Sequence, residues 1–345
     1  MHPLSSAPLP NLASHKASLT DALTTDTQTI QSQVIASLCG VYKSFENKPA
    51  LHHIDLDIHS AQVLAVLGAN GAGKTTLINL LLGRLNPDTG VVSIFGQPAG
   101  SLLARRQTGA LLQVASLPET LKIKEHIQLF QSYYPYPMAY KKVIEYAGLQ
   151  SMEDRYSKKL SGGEKQRLLF ALSICGNPKL LFLDEPSVGM DVEARKGLWE
   201  AILDLKAAGT AIVLTTHYLE EADSLADEVI LLKEGEIIQK GTTNQIKAST
   251  THTSIRFSSQ NTCAAYHKMT GVRHVHISGK YIELASSNVN QTLRTLLNQQ
   301  IDIQDLTVSS AGLEDAFIQL NQNHSSTTKD SNSNANTNFE EGENV

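Results

Sequence analysis

The sequence predicts an α/β protein built on a parallel sheet with helices on both faces. Three stretches predict it. Val63–Leu67 is a short apolar run leading into Gly68-Ala69-Asn70-Gly71-Ala72-Gly73-Lys74-Thr75, after which a helix-period run continues through Thr76 to Leu85. Residues 179–183 form a second run, apolar after its lysine, and residues 210–216 a third. Strands buried on both faces read as continuous apolar runs, the mark of a parallel sheet covered by helices.

The first stretch carries chemistry as well as fold. Its glycine-rich segment fits G-x-x-x-x-G-K-[ST] in the strand–loop–helix setting that a phosphate-binding loop needs. Glycines let successive N–H groups curl around a phosphate chain where a Cβ would block approach. The positive end of the next helix then faces the anion. Lys74 is placed to reach the β/γ-phosphates, and the Thr75 hydroxyl to ligate Mg²⁺.

Composition narrows the partners. A chain of 345 residues with 29 Lys+Arg against 34 Asp+Glu carries a net charge of −5, so no basic signature favours nucleic acid. Residues 322–345 hold Asp330, Glu340, Glu341 and Glu343 against Lys329 alone. The acidity therefore belongs mainly to a tail. Cys39, Cys175 and Cys263 are odd in number, far apart and without CxxC, which fits reduced thiols rather than a disulfide framework. No run of about 18 apolar residues is long enough to span a bilayer, and the N-terminus lacks the basic start and apolar core of a secretory signal.

In chain order, residues 1–33 are Ser-, Thr-, Ala- and Gln-rich without apolar periodicity and read as a disordered extension. Residues 34–41 and 53–58 alternate as half-buried antiparallel strands do. Between them Phe45 is either a base-stacking aromatic or a hydrophobic turn anchor. Residues 86–90 read as a turn, 91–95 and 109–114 as strands, the second bearing Gln113. Residues 117–160 are helical and polar, a helical insertion interrupted by Tyr133-Tyr134-Pro135-Tyr136-Pro137, whose tyrosines suit packing or a partner better than nucleic acid. Ser161-Gly162-Gly163 opens a helix, a second anion-friendly N-terminus. The strand at 179–183 runs into Asp184-Glu185-Pro186, where open α/β sheets bind ligands. The strand at 210–216 ends at His217, and a helix over 219–226 leads to a hairpin over 229–239. Residues 251–320 read as a small α+β domain, and 322–345 as a disordered Asn/Ser-rich acidic tail. There His274 and His276 share one strand face near Cys263 and His267. Without a third ligand at recognisable spacing, they read as residues on a wet hairpin face rather than a metal site.

Taken together, the phosphate loop, Gln113, Leu160-Ser161-Gly162-Gly163 with Glu164 to Arg167, the strand into Asp184-Glu185, Asp191 and His217 resemble an ABC-type ATPase over about residues 34–245. The Leu-Ser-Gly-Gly signature makes this far more specific than a phosphate loop alone. Ser187-Val188-Gly189-Met190-Asp191 and Gly312-Leu313-Glu314-Asp315-Ala316-Phe317 resemble the single-domain subunits of bacterial ABC-2-type, export-like transporters.

The resemblance implies a P-loop NTPase fold of the ABC type, with an antiparallel β subdomain, a helical insertion over about 115–160 and the small C-terminal domain. It implies ATP and Mg²⁺ as cofactors. Gly68, Ala69, Asn70, Gly71, Ala72, Gly73, Lys74, Thr75 and Thr76 would bind the phosphates, with Phe45 at the base. Thr75, Asp184 and Gln113 would hold Mg²⁺, with Gln113 also a catalytic residue beside the attacking water that couples the core to the helical insertion; Glu185 would act as general base, and His217 would contact the γ-phosphate. Ser161, Gly162, Gly163 and Asp191 would act on ATP held by a second copy, in a head-to-tail dimer. The expected partners are that second copy and a separate transmembrane permease, with no nucleic acid, at the cytoplasmic face of the plasma membrane. Glu164 and Val192 stand where Gln and Pro are frequent in the family. The alternative is a soluble ABC ATPase acting in translation or on DNA, which one cassette without a heptad run or basic patch does not favour. A P-loop kinase fails on the Leu-Ser-Gly-Gly signature.

Overall fold

Alternating apolar and polar residues fold the first described segment into a hairpin. The computed structural model describes residues 33–112, 117–248, 253–259, 266, 269–298, 303–310 and 313. The N-terminal extension, Gln113, Cys263, His267, residues 314–320 and the acidic tail lie outside the described residues. β1 (Val34–Phe45) and β2 (Lys48–His59) pair antiparallel and join through Glu46 and Asn47, at φ 47° and 63°. Two successive left-handed residues twist a two-residue turn the way its strands twist. Phe45 thus ends a strand instead of lying in a loop between two shorter ones.

β3 (Val63–Leu67) leads through the glycine loop to α1 (Lys74–Leu81). Next come β4 (Thr89–Ile94), β5 (Gln97–Pro98), α2 (Leu102–Arg106) and β6 (Thr108–Leu111). β1, β2, β4 and β5 form an antiparallel sheet in the order β2-β1-β4-β5. α3 (Ile123–Gln131) and α4 (Tyr140–Tyr146) are the helices of the 117–160 region, shorter than its composition suggested, with a 3-10 turn at Ser157–Lys159. Between them Tyr133 and Tyr136 are exposed, whereas Tyr134 packs into the core.

α5 (Gly162–Ile174), β7 (Leu180–Asp184), α6 (Val192–Ala207), β8 (Ala211–Thr215), α7 (Leu219–Leu225), β9 (Glu228–Lys233), β10 (Glu236–Gly241) and α8 (Thr243–Ala248) follow. The main sheet has the order β10-β9-β3-β8-β7-β6, parallel except for β10. Every residue of β3, β7 and β8 is buried. Alternate residues serve opposite faces. Leu181, Leu183, Ile212 and Leu214 pack with α3 to α6, while Leu180, Phe182, Ala211 and Val213 pack with α1 and the antiparallel sheet. That two-sided burial is why these runs carry no alternation.

The chain ends its described part in β11 (Thr253–Ser258), β12 (Val272–Ser278), β13 (Tyr281–Ser286), α9 (Val289–Asn298) and β14 (Gln304–Ser310). These strands form an antiparallel sheet, order β12-β13-β11-β14, over a core of Ile255, Phe257, Tyr266, Ile282, Leu284 and Leu296. His276 is exposed, and among the described residues no three His, Cys, Asp or Glu side chains cluster as a metal site would need. No helix among the described residues is long and apolar enough to cross a membrane.

Candidate functional site

The parallel strands deliver their carboxyl ends to one edge of the main sheet. The glycine loop follows β3, Asp184 and Glu185 end β7, and His217 lies two residues past β8, the strand between β3 and β7. Ligands of open α/β sheets bind in this crevice.

The glycine loop is built for close approach. A Cβ on Gly68 would lie 2.4 Å from the Leu232 carbonyl oxygen, and one on Gly73, at φ 109°, 2.6 Å from that of Ala50. Gly73 also occupies the cap position of α1, with no side-chain cap and no acidic residue in the first turn. The helix instead opens on Lys74, a cation at the end where the dipole favours anions. Lys74 Nζ donates to the carbonyls of Gly68 (2.8 Å) and Ala69 (3.0 Å). Burial lowers the Lys74 pKa, and the nearby carboxylates of Glu185 and Asp184 oppose that shift. An ammonium folded onto its own loop, beside a helix start without an acidic cap, is a cradle for a phosphate chain.

Asp184 is buried, 7% exposed, and accepts the Thr215 hydroxyl on Oδ1. Its other oxygen and the hydroxyl of exposed Thr75 are hard oxygen donors of the kind Mg²⁺ takes, so this donor set fits the ion. Glu185 adopts φ 55°, a left-handed backbone uncommon for a non-glycine residue. Two bonds hold it there: its N–H donates to Thr215 O (3.0 Å), and Gln166 Nε2 donates to its carbonyl (3.2 Å). Its carboxylate Oε2 pairs with His217 Nδ1, which occupies one ring nitrogen and leaves Nε2.

Ser161, Gly162 and Gly163 start α5. Ser161 Oγ accepts the Glu164 N–H (3.3 Å), and Glu164 Oε2 accepts the Ser161 N–H (2.8 Å), a capping box. Arg155 fixes Glu164 from the side at 2.7 Å. The backbone bond to Ser161 lowers the Glu164 pKa, with Arg155 adding to it. Gly163 lies against the 187–191 turn, where a Cβ would come 2.8 Å from Gly189 O. Asp191 caps α6 by accepting the Ala194 N–H at 2.8 Å. The bonds of Ser161 and Asp191 stay within their own helix starts, Gly163 packs against the 187–191 turn, and none of these contacts runs to the glycine loop.

Phe45 is an exposed ring, not a buried anchor, 45% accessible with Lys43 Nζ 5.6 Å from its centroid. Asp88 pins this strand end: it accepts Lys43 Nζ (2.5 Å), the Ser44 N–H (2.7 Å) and the Ser44 hydroxyl (2.8 Å). Those bonds hold the Asp88 pKa down at about 2.

Thr215, Gln166, Arg155 and Asp88 escaped the sequence reading. Each acts through a partner 9 to 44 positions away. Only the Glu164 in Ser-x-x-Glu was a visible signal, as a capping box.

Comparisons with known proteins converge on one family. The family model described as "ABC transporter" matches residues 51–188. The "Nod factor export ATP-binding protein I" of Rhizobium sp. (strain N33) is 36% identical over 219 residues, 61% of this chain and 71% of that protein. The protein of the same name from Burkholderia lata is 31% identical over 289 residues, 81% and 94% of the two chains. The "Daunorubicin/doxorubicin resistance ATP-binding protein DrrA" of Streptomyces peucetius is 37% identical over 61% of this chain, which spans just under two thirds (66%) of that relative. Among solved structures, an "ATP binding subunit of ABC transporter" is 25% identical with a TM-score of 0.58, covering 62% of this chain and 92% of that one. A dimeric, post-hydrolysis ATP-binding cassette with ADP and Pi shares the fold at 24% identity and TM-score 0.55, covering 60% and 98%.

Proposed function

Because the chain belongs to the ABC transporter family of ATP-binding ATPases, we propose that it powers an exporter by closing as a dimer around ATP and passing that motion to a separate membrane permease. The observation that carries this is the Glu185–His217 pair, set beside Lys74 where β3, β7 and β8 end together. The relatives named for Nod factor export and for drug resistance support the exporter reading.

The roles follow from the groups present. The amides of 68–76 and Lys74 bind the phosphates, and exposed Phe45 stacks on the base. Thr75, Asp184 and Gln113 would hold Mg²⁺, which would supply charge neutralisation to the phosphates. Glu185 takes a proton from the attacking water, and His217 holds Glu185 in register with its free nitrogen toward the γ-phosphate. Gln166 and Thr215 fix the backbone from which Glu185 works. Ser161, Gly162 and Gly163 supply their donors to ATP on a second copy, because among the described residues no bond of Ser161 runs to its own glycine loop. Asp191 crosses the same interface. The permease sits in the plasma membrane, and the chain docks on its cytoplasmic face.

Sizing the Glu185→Gln variant with and without ATP tests the mechanism. An ATP-dependent dimer that hydrolyses nothing is expected. A variant that stays monomeric in ATP, or that turns over like wild type, overturns it.

A further inference from the structure

α6 grips the segment after β8 at two points one helical turn apart. At the first, the Arg195 guanidinium lies 4.9 Å from the centroid of the Tyr218 ring. At the second, the Trp199 indole N–H donates to Glu221 Oε1 at 3.1 Å, and Glu221 is fully buried. Tyr218 is itself fixed: its N–H donates to Thr216 Oγ1 (3.0 Å), and its carbonyl accepts the Glu221 N–H (3.0 Å). Its ring stacks at a 39° tilt on the imidazole of His217, with centroids 4.0 Å apart. His217 in turn pairs with Glu185.

The His217 side chain is 57% exposed, so little else walls its ring in. Arg195 Nε is buried without a hydrogen-bond partner. A partly desolvated guanidinium over an aromatic face is held more strongly than one in open water. The contact is therefore a stiff link between α6 and the ring that carries the catalytic imidazole. One turn before this contact α6 begins on Asp191, and the Arg195 N–H donates to the Asp191 carbonyl at 3.0 Å.

We infer that Arg195 and Tyr218 are positioning residues that hold the His217 ring against Glu185, so that displacement of the Asp191-capped end of α6 on dimer closure reaches the water-activating pair. The inference rests on the proposed hydrolytic role of Glu185 and His217. Neither Arg195 nor Tyr218 touches nucleotide; each acts through His217. Their signature is a loss in kcat without a loss in ATP affinity, since misplacing a catalytic group by about 1 Å costs on the order of 10²-fold.

The test compares side chains that keep or remove each contact in the full-length protein. Tyr218→Phe keeps the ring under the guanidinium and should stay within about twofold of wild-type kcat. Tyr218→Leu and Arg195→Gln should lose about tenfold or more in kcat, with KM and the calorimetric ATP affinity within about twofold. The double variant His217→Ala/Arg195→Gln should hydrolyse no more slowly than His217→Ala alone, because residues acting through one another are not additive. Arg195→Gln keeps most of the side-chain stem, so it remains informative where Tyr218→Leu fails to fold, as a melting curve would show. The inference is overturned by an Arg195→Gln variant with unchanged kcat, by a parallel loss of ATP affinity, or by a further tenfold loss in the double variant. Wild-type turnover by Glu185→Gln would instead sink the reading of the site itself.

Discussion

Glu185 holds a backbone that few non-glycine residues adopt, and one neighbouring strand and a helix keep it there. The arrangement argues that its carboxylate, not its backbone, is the replaceable part. Glu185→Gln keeps size and hydrogen bonding and removes the proposed base. Turnover should fall by about 10²–10⁴-fold, the usual worth of a general base, while calorimetric ATP binding stays intact. Asp88 shows the same scale of control in electrostatics. Three bonds hold its pKa down at about 2, against an ordinary 3.8. A depressed carboxylate stabilises the fold above its unfolded pKa and loses that effect as pH falls through its folded one. Wild type should therefore be more stable than Asp88→Asn from pH 7 to 5, with the gap narrowing as pH drops from 3.8 toward 2. Urea midpoints of both proteins at stepped pH check this, and a pH-independent gap would contradict it. Lys74 and Glu185 were legible in the sequence because each sits in a contiguous motif. Gln166 and Thr215 were not, because their contacts to Glu185 and Asp184 exist only once α5 and β8 are folded beside β7.

At the scale of elements, α1 and α5 start in opposite ways. α5 closes on itself: Ser161 and Glu164 satisfy each other's N–H groups, and Arg155 anchors Glu164. Glu164→Ala should cost about 1 kcal/mol of stability through the lost cap. Glu164→Gln should recover most of it, since an amide oxygen still accepts the Ser161 N–H. Chemical denaturation of the two variants separates these outcomes. α1 has no such closure: Gly73 supplies no side-chain cap and the first turn has no acidic residue, which suits it to an anion. Lys74→Ala should leave the fold in place and abolish measurable ATP binding by calorimetry. The fully buried strands β3, β7 and β8 were legible as unbroken apolar runs, which need no period, whereas α2, α8 and β5 were not. They span five, six and two residues, too short for a period to show. β1 outran its expected end because Glu46 and Asn47 make the left-handed turn usually announced by Asn-Gly.

At the scale of the whole molecule, the proposed dimer makes the glycine loop and the α5 start two half-sites on one chain. If ATP is held between two copies, a defect in each half is separable by mixing. Lys74→Ala removes the phosphate ligand from one copy's loop, and Ser161→Arg blocks the other copy's donor. Each variant alone should be inactive, since both of its sites carry the defect. In a mixed dimer the two defects fall on the same site, and the second site combines an intact Gly68-to-Thr75 loop with an intact Ser161. Random exchange makes about half of the dimers mixed, each with one good site, so an equimolar mixture should recover about a quarter of wild-type ATPase activity where the sites act independently. Activity per chain should also fall on dilution, as it must when a site is completed only by association. A mixture as inactive as its components would mean either that both half-sites serve one chain or that one intact site cannot turn over alone. Dilution separates these two cases, because only a site complete within one chain keeps its specific activity at every concentration.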